Sequence, residues 1–338
     1  AICQCHIEYA DGGVEIVRTE GSWRCSTGPF TASCIYDGET YDARLEQAGW
    51  DAPGFDDSAW SAANVVEAPG GFLQYEAMEA IAVTETLPPA AVRQVQPGVY
   101  VFDMGQNFAG WVRLRAAGPA GTAVRMHFAE NVHPDGTLNT RTNNLADQTD
   151  TYILKGGGPE VWEPRFTYHG FQYVEVTGYP GVPGPDAVEG RVVRSACPQT
   201  GEFGCDNELI NHIHRCTVWS EKSNMMGLPT DDCQRPERMG WTADAHVALD
   251  QQVCNFDLAA FYRKWLWDLS DSQFANGDIP IIAPRSVDES ESFCWASAWA
   301  LIPWYCYRTY GDIRFLSDHF EGMKRFIEFL RSKSDGLI

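Results

Sequence analysis

The residues from Gly227 to Asp244 concentrate the side chains able to do chemistry: the carboxylates of Asp231, Asp232, Glu237 and Asp244, the guanidinium groups of Arg235 and Arg238, and the indole of Trp241. Gly227, Pro229, Pro236 and Gly240 keep the stretch from forming one continuous helix, because proline removes an amide donor and glycine loosens the backbone. Apolar residues are too few here for a core element. A dense polar constellation beside an aromatic ring suits a site that grips several hydroxyls and moves a proton. The same composition also suits a solvated, ion-paired loop, since ion-pair networks place carboxylates beside arginines as well.

Helical patterning flanks this stretch. Asp206 is placed to cap a first helix in which Leu209, Ile213 and Cys216 share a face. A second helix follows Trp241 and runs to about Val253. A third carries Leu258, Phe261, Tyr262, Trp265, Leu266 and Leu269 at the spacing of a one-sided apolar stripe. After a polar loop over residues 272–292, a fourth is expected at about 296–310. A fifth is expected at about 312–331, with Phe315, Leu316, Phe320, Met323, Ile327 and Leu330 on its face. Residues 196–338 therefore read as an all-α domain whose first two helices are joined by the polar stretch, with no closing cap over 335–338.

Upstream of residue 196 the period is two. Residues 5–9 and 14–17, turning at Asp11-Gly12-Gly13, predict a hairpin. Residues 35–44 and 49–60, rich in aromatic and acidic side chains, read as loops of a first β domain with their tryptophans packed inward. Residues 71–97 read as a connecting stretch, with Leu87-Pro88-Pro89 inside it. Strand-length runs at 99–102, 112–115, 123–128, 150–154 and 171–176, separated by glycine and proline, predict a β-sandwich. The polar segment 131–148 reads as a cap on that sheet.

Composition narrows the partners. A net charge of −21 over 338 residues argues against nucleic acid and against an anionic membrane, both of which need a basic face. No apolar run has the length of a membrane span. The eleven cysteines form no CxxC pair. Neither Cys3, Cys5 and His6 nor His212, His214 and Cys216 make a ligand set, so no metal is expected. Reduced thiols and a cytoplasmic location are the expectation. Twelve tryptophans fit stacking on sugars as well as core filling.

Pro229-Thr230-Asp231, Gln234-Arg235, Glu237-Arg238 and Gly240-Trp241-Thr242 with Asp244 resemble the active-site segment of bacterial α-L-rhamnosidases, glycoside hydrolase family 78. The resemblance extends over nearly the whole chain. Residues 36–44 and 49–60 are similar to the end of that family's amino-terminal β domain, and 102–111 and 162–171 to its β-sandwich. Residues 256–269 and Tyr310-Gly311-Asp312 are similar to its helical catalytic domain. The resemblance implies a multidomain β + α fold, with β-sandwich domains followed by the first helices of an (α/α)6 toroid. The corresponding divisions are 1–75, 76–195 (concanavalin-like) and 196–338.

By the same resemblance the activity is release of terminal α-L-rhamnose from a rhamnose-containing glycoside by inversion, without a cofactor. Glu237 is then the general acid, flanked by Arg235 and Arg238, whose charge burial and neighbouring carboxylates must offset. Asp231 and Asp244 hold sugar hydroxyls and support an oxocarbenium-like transition state. Arg235 holds a hydroxyl and orients an aspartate. Trp241 and Trp295 line the apolar side of the 6-deoxy sugar. This chain departs from the family's usual pattern at Asp232-Cys233, Pro236, Ala243 and Ser297, which bears on substrate preference. The family's general base is a glutamate expected beyond Ile338, and Asp288, Glu289 and Glu291 read as an exposed acidic loop. The alternative is a non-catalytic piece with carbohydrate-binding or structural β domains. No motif speaks to aglycone, linkage or oligomeric state.

Overall fold

Alternating patterns before residue 196 do become strands, and the helical period after it becomes helices, in a computed structural model that describes residues 2–68, 70–286 and 292–334. The predicted hairpin is β1 (Gln4–Glu8) paired with β2 (Val14–Arg18), turning where Gly12 takes φ 85°. Then come β3 (Arg24–Cys25), β4 (Phe30–Cys34), β5 (Gly38–Asp42) and β6 (Ser61–Ala62), followed by β7 (Ile81–Leu87), β8 (Ala91–Gln96) and β9 (Val99–Ala117). The β region continues with β10 (Ala123–Ala129), β11 (Asn131–Val132), β12 (Leu138–Asn139), β13 (Thr149–Ile153), β14 (Pro159–Trp162), β15 (His169–Thr177) and β16 (Val188–Ser195).

Among the described residues, ten of these strands join one sheet in the order β4-β5-β13-β10-β15-β9-β16-β7, with β8 and β14 also paired to β9. The β5–β13 pairing is parallel. The sheet curls on β9, whose first half is flanked by β8 and β15 and whose second half is flanked by β16 and β14. Gly110, at φ 156°, permits the bend, since a Cβ there would lie 1.9 Å from the Arg191 carbonyl oxygen. Phe102, Phe108, Leu114, Met126, Phe128 and Phe171 fill the core it encloses.

Several expectations change here. The two strands expected at 99–102 and 112–115 are one 19-residue strand, because Gly105 and Gly110 carry it through a bend instead of ending it. The stretch read as a connection holds β7 and β8, so Pro88 and Pro89 separate two strands. Residues 35–44 were read as loop, but they include β5, which joins the main sheet. Trp50 is 62% exposed, contrary to inward packing, whereas Trp60 is half-buried against Phe55 and donates to Gln47. The 131–148 segment caps the sheet as expected: Asn143 donates to the Phe128 carbonyl, and Gln148 accepts from the Gly170 amide.

The helical part comprises α1 (Glu208–Ser223), α2 (Thr242–Asn255), α3 (Ala259–Ser272), α4 (Phe293–Ala296), α5 (Ala298–Tyr310), α6 (Arg314–Ser317) and α7 (Phe320–Lys333). The third helix buries the predicted stripe of Phe261, Tyr262, Trp265, Leu266 and Leu269. In α1 the cap is Asn207 instead of Asp206, its side chain accepting from the Leu209 and Ile210 amides. The predicted face of Leu209, Ile213 and Cys216 is exposed, and Val218 and Glu221 point inward. The expected fifth helix breaks at Asp318 and His319, which resets the register of α7 so that Phe326 and Phe329 are buried while Phe320 and Ile327 are exposed.

Glu221 sits buried between α1 and α2, accepting from Gln251, and its second carboxylate oxygen has no partner among the described residues. Burial pushes its pKa up from 4.5 to about 7. The unfolded chain ionises this group from about 4.5, so its stabilising effect is complete below that pH and is lost as pH rises towards 7. Glu221→Gln should therefore flatten the pH dependence of unfolding free energy over that interval and stabilise the protein at pH 8 by ~3 kcal/mol. Denaturant melts of both forms from pH 4 to 8 check this.

Candidate active site

The polar stretch leaves α1 and enters α2, as its flanking helices require. Two of its non-glycine residues, Asp232 at φ 37° and Arg238 at φ 58°, adopt left-handed backbone. Such conformations cost roughly 1–3 kcal/mol each and persist only where surrounding contacts enforce them. Met239 donates its amide to Asp231 Oδ1 at 3.1 Å. Gly240 accepts from the Ala283 amide at 2.9 Å, and a Cβ at Gly240 would stand 2.1 Å from the Ala283 carbonyl oxygen. Glycine is therefore required where these two backbones meet.

The reversal at Arg238 sends consecutive side chains to opposite sides. Glu237 turns towards Arg235 and Trp241: Arg235 Nε donates to its Oε2 at 2.8 Å, and Trp241 Nε1 donates to its Oε1 at 3.0 Å. Arg235 also donates through Nη2 to Asp232 Oδ2 at 2.6 Å. Oxygens of Asp231, Asp232 and Glu237 lie within 4.8 Å of one another, and the Arg235 guanidinium bridges two of these carboxylates. Burial, then the hydrogen bond with Glu237, pushes the Asp231 carboxyl up to about 8. Carboxylates this close resist simultaneous ionisation, which favours the protonated form of Asp231.

Asp231, Arg235, Glu237 and Trp241 are thus in one hydrogen-bonded cluster. Asp244 stands apart, exposed on the first turn of α2. Trp295 lies on α4, which packs against α2; it is half-buried, and its buried indole N–H has no acceptor among the described residues. Ser297 donates to the Cys294 carbonyl at 2.7 Å. Asp288, Glu289 and Glu291 lie outside the described residues.

Arg238 does not flank Glu237, contrary to expectation. It is buried against the sheet, donating to the carbonyls of Ile35 and Tyr168, with its guanidinium over the rings of Tyr36 and Tyr168. Sequence reasoning gave Asp232 no role, although its place between Asp231 and Arg235 was the available signal. It also missed Tyr36, whose hydroxyl donates to the Glu237 carbonyl at 3.1 Å from 201 positions away. No local pattern encodes a contact of that separation.

Three family descriptions match the chain in succession. Residues 1–85 match the α-L-rhamnosidase N-terminal domain, 93–194 the bacterial α-L-rhamnosidase concanavalin-like domain, and 198–337 the bacterial α-L-rhamnosidase 6 hairpin glycosidase domain. The chain belongs to the bacterial α-L-rhamnosidase family. An α-L-rhamnosidase of Streptomyces avermitilis is 40% identical over 100% of this chain and 33% of its own length. One from Formosa agariphila is 32% identical over 100% of this chain and 37% of its own. The structure of the α-L-rhamnosidase from Dictyoglumus thermophilum superposes with TM-score 0.96 at 44% identity, covering 99% of this chain and 38% of that one. The Streptomyces avermitilis α-L-rhamnosidase complexed with L-rhamnose superposes with TM-score 0.93, covering 99% and 33%. The chain thus spans about a third of the length of these rhamnosidase relatives.

The seat of the polar loop is tight at Gly170, where an added Cβ would stand 2.5 Å from Cys233 Sγ and 2.8 Å from the Gln234 amide nitrogen. Gly170→Ala should push the loop off β15 and destabilise the fold by about 1–3 kcal/mol. Thermal or urea melts of the variant against the parent measure that loss.

Proposed function

We propose that this chain supplies the acid side of an α-L-rhamnosidase site, hydrolysing terminal α-L-rhamnosides with inversion. The observation that carries this reading is the close grouping of carboxylates, with oxygens of Asp231, Asp232 and Glu237 within 4.8 Å of one another and Arg235 and Trp241 fixing the two Glu237 oxygens. A glycosidic oxygen leaves poorly unless a carboxylic acid protonates it as the bond breaks. In this reading Glu237 is the donor. Asp231, whose Oδ1 is already engaged by Met239, is the partner from which Glu237 receives its proton. Asp232 and Arg235 fix the charge balance around the pair. Asp244, exposed, is free to take sugar hydroxyls, and Trp241 and Trp295 form the apolar wall for the sugar methyl.

Inversion also needs a second carboxylate to activate water on the opposite sugar face. We read that base as belonging to the portion of the longer relatives that this chain does not span. The helices from α1 onward are read as part of a six-hairpin toroid, and the curled sheet as the concanavalin-like unit. The divisions near residues 75 and 195 belong to the same reading.

Glu237→Gln in the full-length gene product should slow cleavage of rhamnosides with poor leaving groups by ~10²–10⁴-fold and spare nitrophenyl rhamnoside, which needs less protonation. Asp231→Asn should move the basic limb of kcat/KM from near pH 8 to lower pH, because the second carboxylate that retains the proton is gone. The 338-residue chain alone should hydrolyse an aryl α-L-rhamnoside ~10²–10⁴-fold more slowly than a full-length relative. A leaving-group series and a pH–rate profile check these outcomes. A flat series for Glu237→Gln with a steep one for Asp244→Asn would transfer the acid role to Asp244.

A further inference from the structure

The Arg238 side chain is a cation held inside the protein without a carboxylate partner among the described residues. It is 8% exposed, donates through Nη1 to the carbonyls of Ile35 and Tyr168, and lies with its carbon Cζ 5.3 Å from the Tyr36 ring centroid and 4.4 Å from that of Tyr168. Its Nε and Nη2 have no acceptor among the described residues. Burying a guanidinium this way is costly, and two carbonyls with two aromatic faces only partly offset it. A leucine or methionine would fill such a space at lower cost, so stability alone does not account for arginine here.

The partners on the sheet side are themselves held. Ile35 O accepts a second hydrogen bond from Thr167 Oγ1 at 3.1 Å. Glu39, on β5, accepts from the amides of Arg165 and Phe166 at 3.3 and 3.2 Å through one oxygen. The Glu39 amide in turn donates to Asp150 Oδ1 at 2.9 Å, and Asp150 Oδ2 pairs with the buried His169 at 3.1 Å. The Ile35 carbonyl is therefore braced directly, and Tyr168 lies between Thr167 and His169, whose side chains are both held by hydrogen bonds. On the other side of the reversal, Tyr36 fixes the carbonyl of Glu237 while its ring covers the Arg238 guanidinium.

We infer that Arg238 and Tyr36 are positioning residues for the acid pair, so that the β-sheet unit forms part of the catalytic machinery by fixing the Glu237 backbone. This rests on the rhamnosidase reading above. The left-handed backbone at Arg238 aims Glu237 at Arg235 and Trp241 only while the neighbouring side chain is anchored. Releasing the anchor lets the residue return to ordinary backbone angles and swings the carboxyl away from the leaving oxygen. Displacements of about 1 Å at a reacting group cost on the order of 10²-fold in rate.

The test uses Tyr36→Phe and Arg238→Lys in the full-length gene product, each checked for unchanged Tm, with two independent readouts. Tyr36→Phe keeps the ring and removes only the hydroxyl on Glu237, so it tests the inference even where Arg238→Lys fails to fold. The first readout is kcat and KM across rhamnosides of graded leaving-group pKa. The expected result is kcat lowered ~3–10-fold for Tyr36→Phe and ~10–100-fold for Arg238→Lys on poor leaving groups, with KM little changed and less loss on nitrophenyl rhamnoside. The second readout is hydrogen exchange of the amides at 237–239, expected to quicken in both variants. A folded pair of variants with parental kcat, parental leaving-group dependence and parental exchange would overturn the inference. Should the parent cleave no rhamnoside, the rhamnosidase reading falls and exchange alone decides: quickened exchange supports the clamp, and unchanged exchange overturns it.

Discussion

The arrangement depends on a positive charge buried between two layers. Arg238 leaves the polar loop and enters the sheet side, where carbonyl dipoles and aromatic faces replace the water it gave up. Because the charge has no carboxylate partner there among the described residues, the carboxylates of the loop remain for one another and for Arg235. Had Arg238 flanked Glu237, two guanidinium groups would face the acid pair and favour its ionised form. Its removal to the opposite side leaves Asp231 with a carboxyl pushed up to about 8.

The cluster shows how one cation can serve several anions without neutralising them all. Arg235 bridges Asp232 and Glu237, and Asp231 is left beside them with a backbone amide. Three carboxylates and one guanidinium leave negative charge in excess, which burial converts into a retained proton. This is the electrostatic condition for an acid at neutral pH, and it follows from which side chains the backbone reversals place together.

Much of this was legible in the sequence where physics is local. The change of period near residue 196, the stripe of α3 and the loop between α1 and α2 all follow from neighbour spacing, and they agree with the structure. The family motif also singled out the segment that holds the cluster. Other elements were hidden because they depend on distant partners. Pro88-Pro89 read as part of a connecting stretch, yet β7 and β8 on either side find β16 and β9. The 99–117 strand looked like two, because its glycines bend it without ending it. The α1 stripe gave the wrong face, since apolar spacing marks a shared side without saying that the side is covered. Arg238 was placed by adjacency in sequence to Glu237, and a left-handed angle reversed that placement.

The parallel pairing of β5 with β13 and the contacts of residues 35 and 36 with the loop have a consequence for how the molecule is made. Ile35 meets Arg238 across 203 positions, and Glu39 meets Asp150 across 111. During synthesis the amino-terminal strands emerge long before their partners, and a contact that closes so long a stretch forms slowly. The sheet edge has to wait for β13, and the acid loop has to wait for both. The chemistry of the site therefore matures only after the strands that seat the loop are in place, and a nascent chain carries the sequence of the acid before it has the acid itself.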